Sequence, residues 1–189
     1  MRVISGSAKG KRLKAPSGLN TRPITDMIKG ALFNVWGQRV PGSKLLDLFA
    51  GTGSVGIEAL SRGALKAVFV DNSSEAIKII KENLSNCRFE TLHEVYRSDV
   101  FKALGRLERQ GYRFDLVYVD PPFTNEKIII DIMRAVDGTD ILEPDGIVVL
   151  RTPRKKEMPG LESLQEYRLS HYGESSLHYY SKHREDPKA

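Results

Sequence analysis

The sequence predicts an α/β fold: a seven-stranded, mostly parallel sheet with helices on both faces and an antiparallel hairpin at one edge. Three observations predict it. From residue 44 onward, short β-patterned runs alternate with helical patterns, the spacing of βαβ units. The last two strand-like runs have no helix between them, so they pair antiparallel. A glycine-rich turn joins the first strand to its helix, where open α/β sheets hold their ligands.

Each element follows in order. Val3-Ile4-Ser5-Gly6 and Arg12-Leu13-Lys14-Ala15 are placed to pair as a small hairpin, an extension over residues 1–22. Beyond Pro23, Thr25 is a ready N-cap, and Ile28, Ala31, Leu32 and Val35 give 26–36 an amphipathic helical face that Gly30 weakens. After Pro41-Gly42 come a buried strand at 44–49, a helix at 54–62 ended by Gly63, a strand at 67–70 and a helix at 74–84. A strand at 94–97, a helix at 100–109 and a strand at 114–119 follow. The helix at 125–136 turns Ile128, Ile129, Ile132 and Met133 inward, ahead of a strand at 146–151. Strands at 165–171 and 177–182, separated by Gly173, close a domain spanning 23–183, with 184–189 a polar tail.

Composition narrows the class. With 40% hydrophobic residues in 189, a proper core is available and wholesale disorder is excluded. Purely apolar runs such as 128–130 and 147–150 fall far short of a membrane span, and the first residues do not resemble a secretory signal. A cytoplasmic monomer without a membrane partner is the expectation. Cys87 alone makes neither a disulfide nor a thiolate metal site and reads as a small buried apolar residue. His93, His171, His178 and His183 show no ligand spacing, so no metal is expected. Trp36, Tyr179 and Tyr180 read as packing residues, and Arg154-Lys155-Lys156 as a solvated turn.

Charge is localised. Residues 1–40 carry a net +7 and the remaining 149 a net −2, within a total of +5. Lys9, Lys11, Arg12, Lys14 and Arg22 form the arm that a polyanion such as RNA would meet, although a plain solvated surface explains composition equally well.

The first chemical signal is Asp47-Leu48-Phe49-Ala50-Gly51-Thr52-Gly53-Ser54-Val55-Gly56, a G-x-G-x-x-G turn at a strand-to-helix junction. Such glycines let backbone N–H groups approach a ligand closely. Asp71, 20 residues after Gly51, sits where an acid holds ribose hydroxyls. Nicotinamide-dependent dehydrogenases share both features. Asp47 separates the two: a carboxylate just before the glycines repels a pyrophosphate but suits an ammonium-bearing ligand such as S-adenosylmethionine. Asp99, after the third strand, is placed either to accept from an adenine amine or to cap the next helix.

The second signal, Asp120-Pro121-Pro122-Phe123, ends the fourth strand. Two prolines force the chain out of the sheet and leave a stiff turn with an acceptor beside an aromatic face. The combination matches the Asp/Asn-Pro-Pro-aromatic motif of enzymes that methylate exocyclic amines of nucleobases. Such an amine is a poor nucleophile because its lone pair is delocalised. The Asp120 carboxylate and the Pro121 carbonyl would hold its two N–H groups and aim the lone pair at the methyl donor. Phe123 would stack on a base displaced from its helix.

With these motifs in hand, the chain resembles the RsmD-type 16S ribosomal RNA guanine-N2 methyltransferases. The resemblance runs through Arg22-Pro-Ile-Thr-Asp26, Ala31-Leu-Phe-Asn34, the stretch 47–63, Val70-Asp71, Lys81-Glu-Asn83, Asp120-Pro-Pro-Phe123 and Tyr172-Gly173. It departs at Ile24, where the family usually has Thr, and at Lys29-Gly30, where it has Arg-Glu. The resemblance implies a Rossmann-like class I methyltransferase fold with a small N-terminal β-hairpin extension. It implies S-adenosyl-L-methionine at Asp47, Gly51, Thr52, Gly53, Asp71, Asn72, Asp99 and Val100, and the target guanine at Asp120, Pro121, Pro122 and Phe123. It implies 16S rRNA, in the small subunit or its assembly intermediate, as partner. The residues alone leave open an adenine-N6 methyltransferase acting on DNA or RNA, a nicotinamide-dependent dehydrogenase, and a non-catalytic assembly factor.

Overall fold

The computed structural model describes residues 1–15 and 24–182. Its elements are α1 (Asp26–Trp36), β1 (Lys44–Leu48), α2 (Ser54–Ser61), β2 (Lys66–Asp71), α3 (Ser74–Asn86) and β3 (His93–Arg97). They continue as α4 (Val100–Arg109), β4 (Phe114–Val119), α5 (Glu126–Asp137), β5 (Leu142–Pro153), β6 (Leu164–Tyr172) and β7 (Ser175–Lys182). The strands form one seven-stranded sheet in the order β3-β2-β1-β4-β5-β7-β6. The first five run parallel, and β7 pairs antiparallel with both β5 and β6. The α/β fold and its edge hairpin are therefore as expected.

The central strands are buried on both faces, which is why they read as nearly continuous apolar runs. Alternation assigns their side chains. Leu46, Leu48, Val117, Val119, Val148 and Leu150 pack with residues of α4 and α5, whereas Leu45, Leu116, Tyr118, Ile147 and Val149 pack with α1. Ala67 and Phe69 join residues of α2 and α3 in a third cluster that also takes in Val3 and Leu13. Each fully buried large apolar side chain contributes about 1.5–3 kcal/mol.

Helix α1 starts where Thr25 Oγ1 accepts from the Ile28 N–H at 3.3 Å, and it runs through Gly30 without interruption. Its buried face is Ile28, Lys29, Leu32, Phe33 and Trp36, while Ala31 and Val35 are only half-buried. The face is rotated from the expected one because the large rings of Phe33 and Trp36 are buried, and because Lys29 finds an internal partner. Strand β5 begins at Leu142 rather than at 146: the β4–β5 register shifts between Phe114 and Leu116, so that the turn-like Pro144-Asp145 bulges from a strand. Strand β7 likewise begins at Ser175, where Ser175 and Ser176 pair with Pro153 and Thr152.

At the N-terminus the chain folds back on itself, but with one antiparallel bridge, Arg2 to Arg12, rather than two full strands. The Val3 N–H donates to Lys11 O and the Leu13 N–H to Met1 O, so the paired register lies earlier than the expected 3–6 and 12–15. Residues 4–8 are held instead by α2: the Ile4 and Ser5 N–H groups donate to Glu58, and the Ala8 N–H to Ser61 Oγ. Cys87 is buried and free. Arg22 and His183, and the expected tail 184–189, lie outside the described residues. Among the described residues, no helix is long and apolar enough to cross a membrane.

Candidate active site

The strand order turns back between β1 and β4, and the loops after those strands meet at the carboxyl edge of the sheet, where open α/β folds bind ligands. The glycine turn after β1 is the first half of the site. Gly53 takes φ +73° as the residue before α2, and Gly56 admits no side chain: a Cβ there would lie 2.2 Å from the Phe69 ring. Phe49 adopts φ +59° just ahead of the turn, a left-handed conformation rare for a bulky residue.

Asp47 is almost fully buried, and its Oδ2 accepts from the Gly56 N–H at 3.1 Å. Burial pushes its carboxyl well above the usual range, and the Asp120 and Asp71 charges push the same way, against the Gly56 bond. Asp71 Oδ2 accepts from the Gly51 N–H at 2.9 Å, which ties the end of β2 to the turn. Three acids thus oppose one another across this edge. Beside them α2 begins without a side-chain cap, and the buried Ser54 hydroxyl at its first position has no hydrogen-bond partner. Clustered carboxylates suit an ammonium and sulfonium ligand, and an uncapped helix start with an unmatched hydroxyl suits a carboxylate. The residues fit the amino-acid end of S-adenosylmethionine.

Asp47→Asn separates these roles. An ionised Asp47 opposes folding, because its folded pKa lies above the unfolded one. That penalty is absent at acid pH and complete once the pH exceeds the folded value. Asn keeps an acceptor for Gly56. The variant should melt about 2–4 °C higher without ligand at pH 7.5 for each kcal/mol relieved. It should bind S-adenosylhomocysteine about ten- to a hundredfold more weakly, as for a lost charge-assisted bond. Calorimetry and thermal melts check both; unchanged affinity would remove Asp47 from the site.

The other expected cofactor residues are placed as follows. Thr52 and Val100 are buried, and Asn72 is exposed after β2. Asp99 is exposed, and its Oδ1 accepts from the Phe101 and Lys102 N–H groups at 3.1 Å, so it caps α4.

The second half follows β4. The Asp120 N–H donates to Leu48 O at 3.2 Å, fixing the start of the Pro-Pro turn against the end of β1. Pro121 is buried, Pro122 exposed and Phe123 half-buried. The Asp120 carboxylate meets Arg151, whose Nη1 lies 3.0 Å from Oδ2 and 3.4 Å from Oδ1, and the Tyr118 hydroxyl donates to Oδ2 at 3.3 Å. Burial raises the Asp120 pKa, with Arg151 opposing. Burial also raises the Tyr118 phenol, reinforced by Asp120. The Arg151 guanidinium lies 5.1 Å from the Phe123 ring centre.

Sequence reasoning misses Arg151 and Tyr118, because what joins them to Asp120 is strand register rather than a local motif. Val119 pairs with Leu150, so one step further Asp120 and Arg151 are cross-strand neighbours on one face, the face that Tyr118 also occupies.

Lys9, Lys11, Arg12 and Lys14 of the arm are exposed, with Lys14 Nζ 2.8 Å from Glu82. Lys29, counted with the N-terminal charge, is instead fully buried: Nζ lies 3.4 Å from Glu58 and donates to Arg2 O at 2.7 Å. Burial lowers its pKa, opposed by Glu58. Asn83, buried on α3, accepts from the Lys14 N–H at 2.8 Å and donates to Lys14 O and Thr52 O. The arm is thereby joined to the glycine turn.

The family described as conserved hypothetical protein 95 matches residues 1–181. A Bacillus subtilis protein, YlbH, provisionally named an rRNA methyltransferase, is 39% identical over 96% of this chain and 99% of its own. Ribosomal RNA small subunit methyltransferase D of Escherichia coli K12 is 32% identical over 84% of this chain and 78% of its own. A solved structure of a hypothetical protein from Thermus thermophilus superposes with a TM-score of 0.85 at 29% identity, over 96% of this chain and 99% of that one. The chain belongs to this family, that of the RsmD-type rRNA methyltransferases.

Proposed function

We propose that the chain transfers the methyl group of S-adenosyl-L-methionine to the exocyclic N2 amine of a guanine in 16S rRNA. One observation carries this reading: Asp120-Pro-Pro-Phe123 abuts the end of β1 through the Asp120–Leu48 bond, next to the acid-rich glycine turn. A nucleobase amine and a cationic methyl donor would therefore meet at one edge. The family membership and a relative named for small-subunit rRNA support the choice of RNA.

When bound, the cofactor supplies an electrophilic methyl on a sulfonium that leaves as a neutral thioether. The chain's own residues do the rest. Asp47 holds the ammonium, the glycine turn approaches the ligand with its backbone, and Asp71 receives the ribose hydroxyls. Asp120 and the Pro121 carbonyl accept the amine's two hydrogens, and Phe123 stacks on the base and keeps water from its face. The amine proton released on transfer passes to an Asp120 oxygen. Positioning of this kind supplies much of the rate.

The segment through residue 22 serves as the RNA-contacting extension of the methyltransferase domain. Neutralising Lys9, Lys11, Arg12 and Lys14 together should flatten the slope of log affinity against log salt by about two to three. An unchanged slope in filter-binding assays would return the arm to plain surface. The activity itself is tested by mapping modified nucleosides in rRNA from cells lacking the chain. One N2-methylguanine of 16S rRNA should disappear. Persistence of all of them, with loss of an N6-methyladenine instead, would favour the adenine reading.

A further inference from the structure

We propose that Arg151 is the positioning residue of the acceptor site: its guanidinium, set between the Asp120 carboxylate and the Phe123 ring, keeps Asp120 an aimed, charged acceptor and steadies the stacking face. The proposal rests on the methyltransferase reading for its effect on rate, but its structural core does not.

The geometry is specific. Arg151 is only 3% exposed, and an arginine is buried this way only when its charge is matched. It reaches both oxygens of Asp120 from Nη1, while Nε donates to Ser175 Oγ at 3.3 Å. Ser175 opens β7 opposite Pro153, so the edge hairpin anchors the guanidinium from behind. The Phe123 ring lies within cation–π range of the same group. One side chain on β5 therefore touches both functional ends of the Asp120-Pro-Pro-Phe turn.

The consequence for chemistry is direct. Asp120 works only as a carboxylate, since a protonated acid offers one acceptor fewer and cannot take the amine proton. Burial pushes its pKa up. The charged groups facing it are Arg151 from β5 and, more distantly, Asp47 from β1, with the Tyr118 phenol from β4. Arg151 is the only cation among these named groups, and lysine cannot replace its planar fork and its stacking on Phe123.

The test uses the full-length protein and the variants R151M and R151K. The Asp120 carboxyl is followed by carbon NMR in the ligand-free state, and single-turnover transfer onto 16S rRNA is followed across pH. In R151M, Asp120 should titrate about one unit or more higher, the acid limb of transfer should move up with it, and the rate at pH 7 should fall about a hundredfold. S-adenosylhomocysteine affinity should stay within about twofold, because Arg151 lies on the acceptor side. R151K should restore the acid limb but not the full rate. If R151M does not fold, R151K carries the test through its rate deficit. An Asp120 titration in R151M identical to that of the wild type, or, where R151M does not fold, transfer by R151K at the full wild-type rate, would overturn the proposal. A wild-type protein that methylates no nucleic acid, with the titration shift intact, would refute the proposed function and leave the clamp standing.

Discussion

Asp120→Ala should lower methyl transfer about a hundred- to a thousandfold, the scale set by removing one preorganised group that acts in the transition state. S-adenosylhomocysteine binding should persist, because the glycine turn, Asp47 and Asp71 are built on β1, α2 and β2. The substitution also strips Arg151 of its carboxylate partner, so some stability will be lost. Asp120→Asn narrows that ambiguity: it also removes the charge but keeps the shape and one acceptor oxygen for Arg151, so it should lose less stability than Asp120→Ala and show a smaller loss of transfer. Turnover by a well-folded Asp120→Ala at the wild-type rate would remove Asp120 from the chemistry.

Glu58→Leu should destabilise the protein by about 3–5 kcal/mol, the usual effect of breaking a buried ion pair. Glu58 is fully buried and meets Lys29 at 3.4 Å and Arg62 Nε at 2.8 Å, while also accepting from the Ile4 and Ser5 N–H groups. Removing it strands a buried ammonium and two backbone donors at once. A fall in melting temperature of about 10 °C or more is expected, with weakened RNA binding as residues 4–5 lose their anchor. The double variant Lys29→Met/Glu58→Leu should recover part of the loss, since the stranded charge is gone. A single variant no less stable than the double would show that the ion pair is not the anchor.

These two residues mark how far the sequence could be read. The βα alternation, the glycine turn and Asp120-Pro-Pro-Phe123 were legible because each is a local pattern with a local physical cause. Helices α1 and α4 and strand β4 fall at the expected residues. The sequence predicts too short a β5 because Pro144-Asp145-Gly146 is turn chemistry, and only pairing to β4 makes a bulge of it. Lys29 falls within the N-terminal positive charge by composition, which does not reveal that Glu58, 29 positions on, is buried against it. Arg151 carries no local signal for a related reason: its role exists only once β5 lies beside β4. Local chemistry is written in neighbouring residues, whereas charge pairs across elements are written in the register.

The most direct measurement is transfer of labelled methyl from S-adenosyl-L-methionine by the purified protein onto 30S subunits and onto protein-free 16S rRNA, followed by nucleoside mapping. Label in N2-methylguanine, on at least one of the two substrates and lost with Asp120→Ala, is the result predicted. Label in N6-methyladenine, or no label on either substrate from a protein that binds the cofactor, would contradict it.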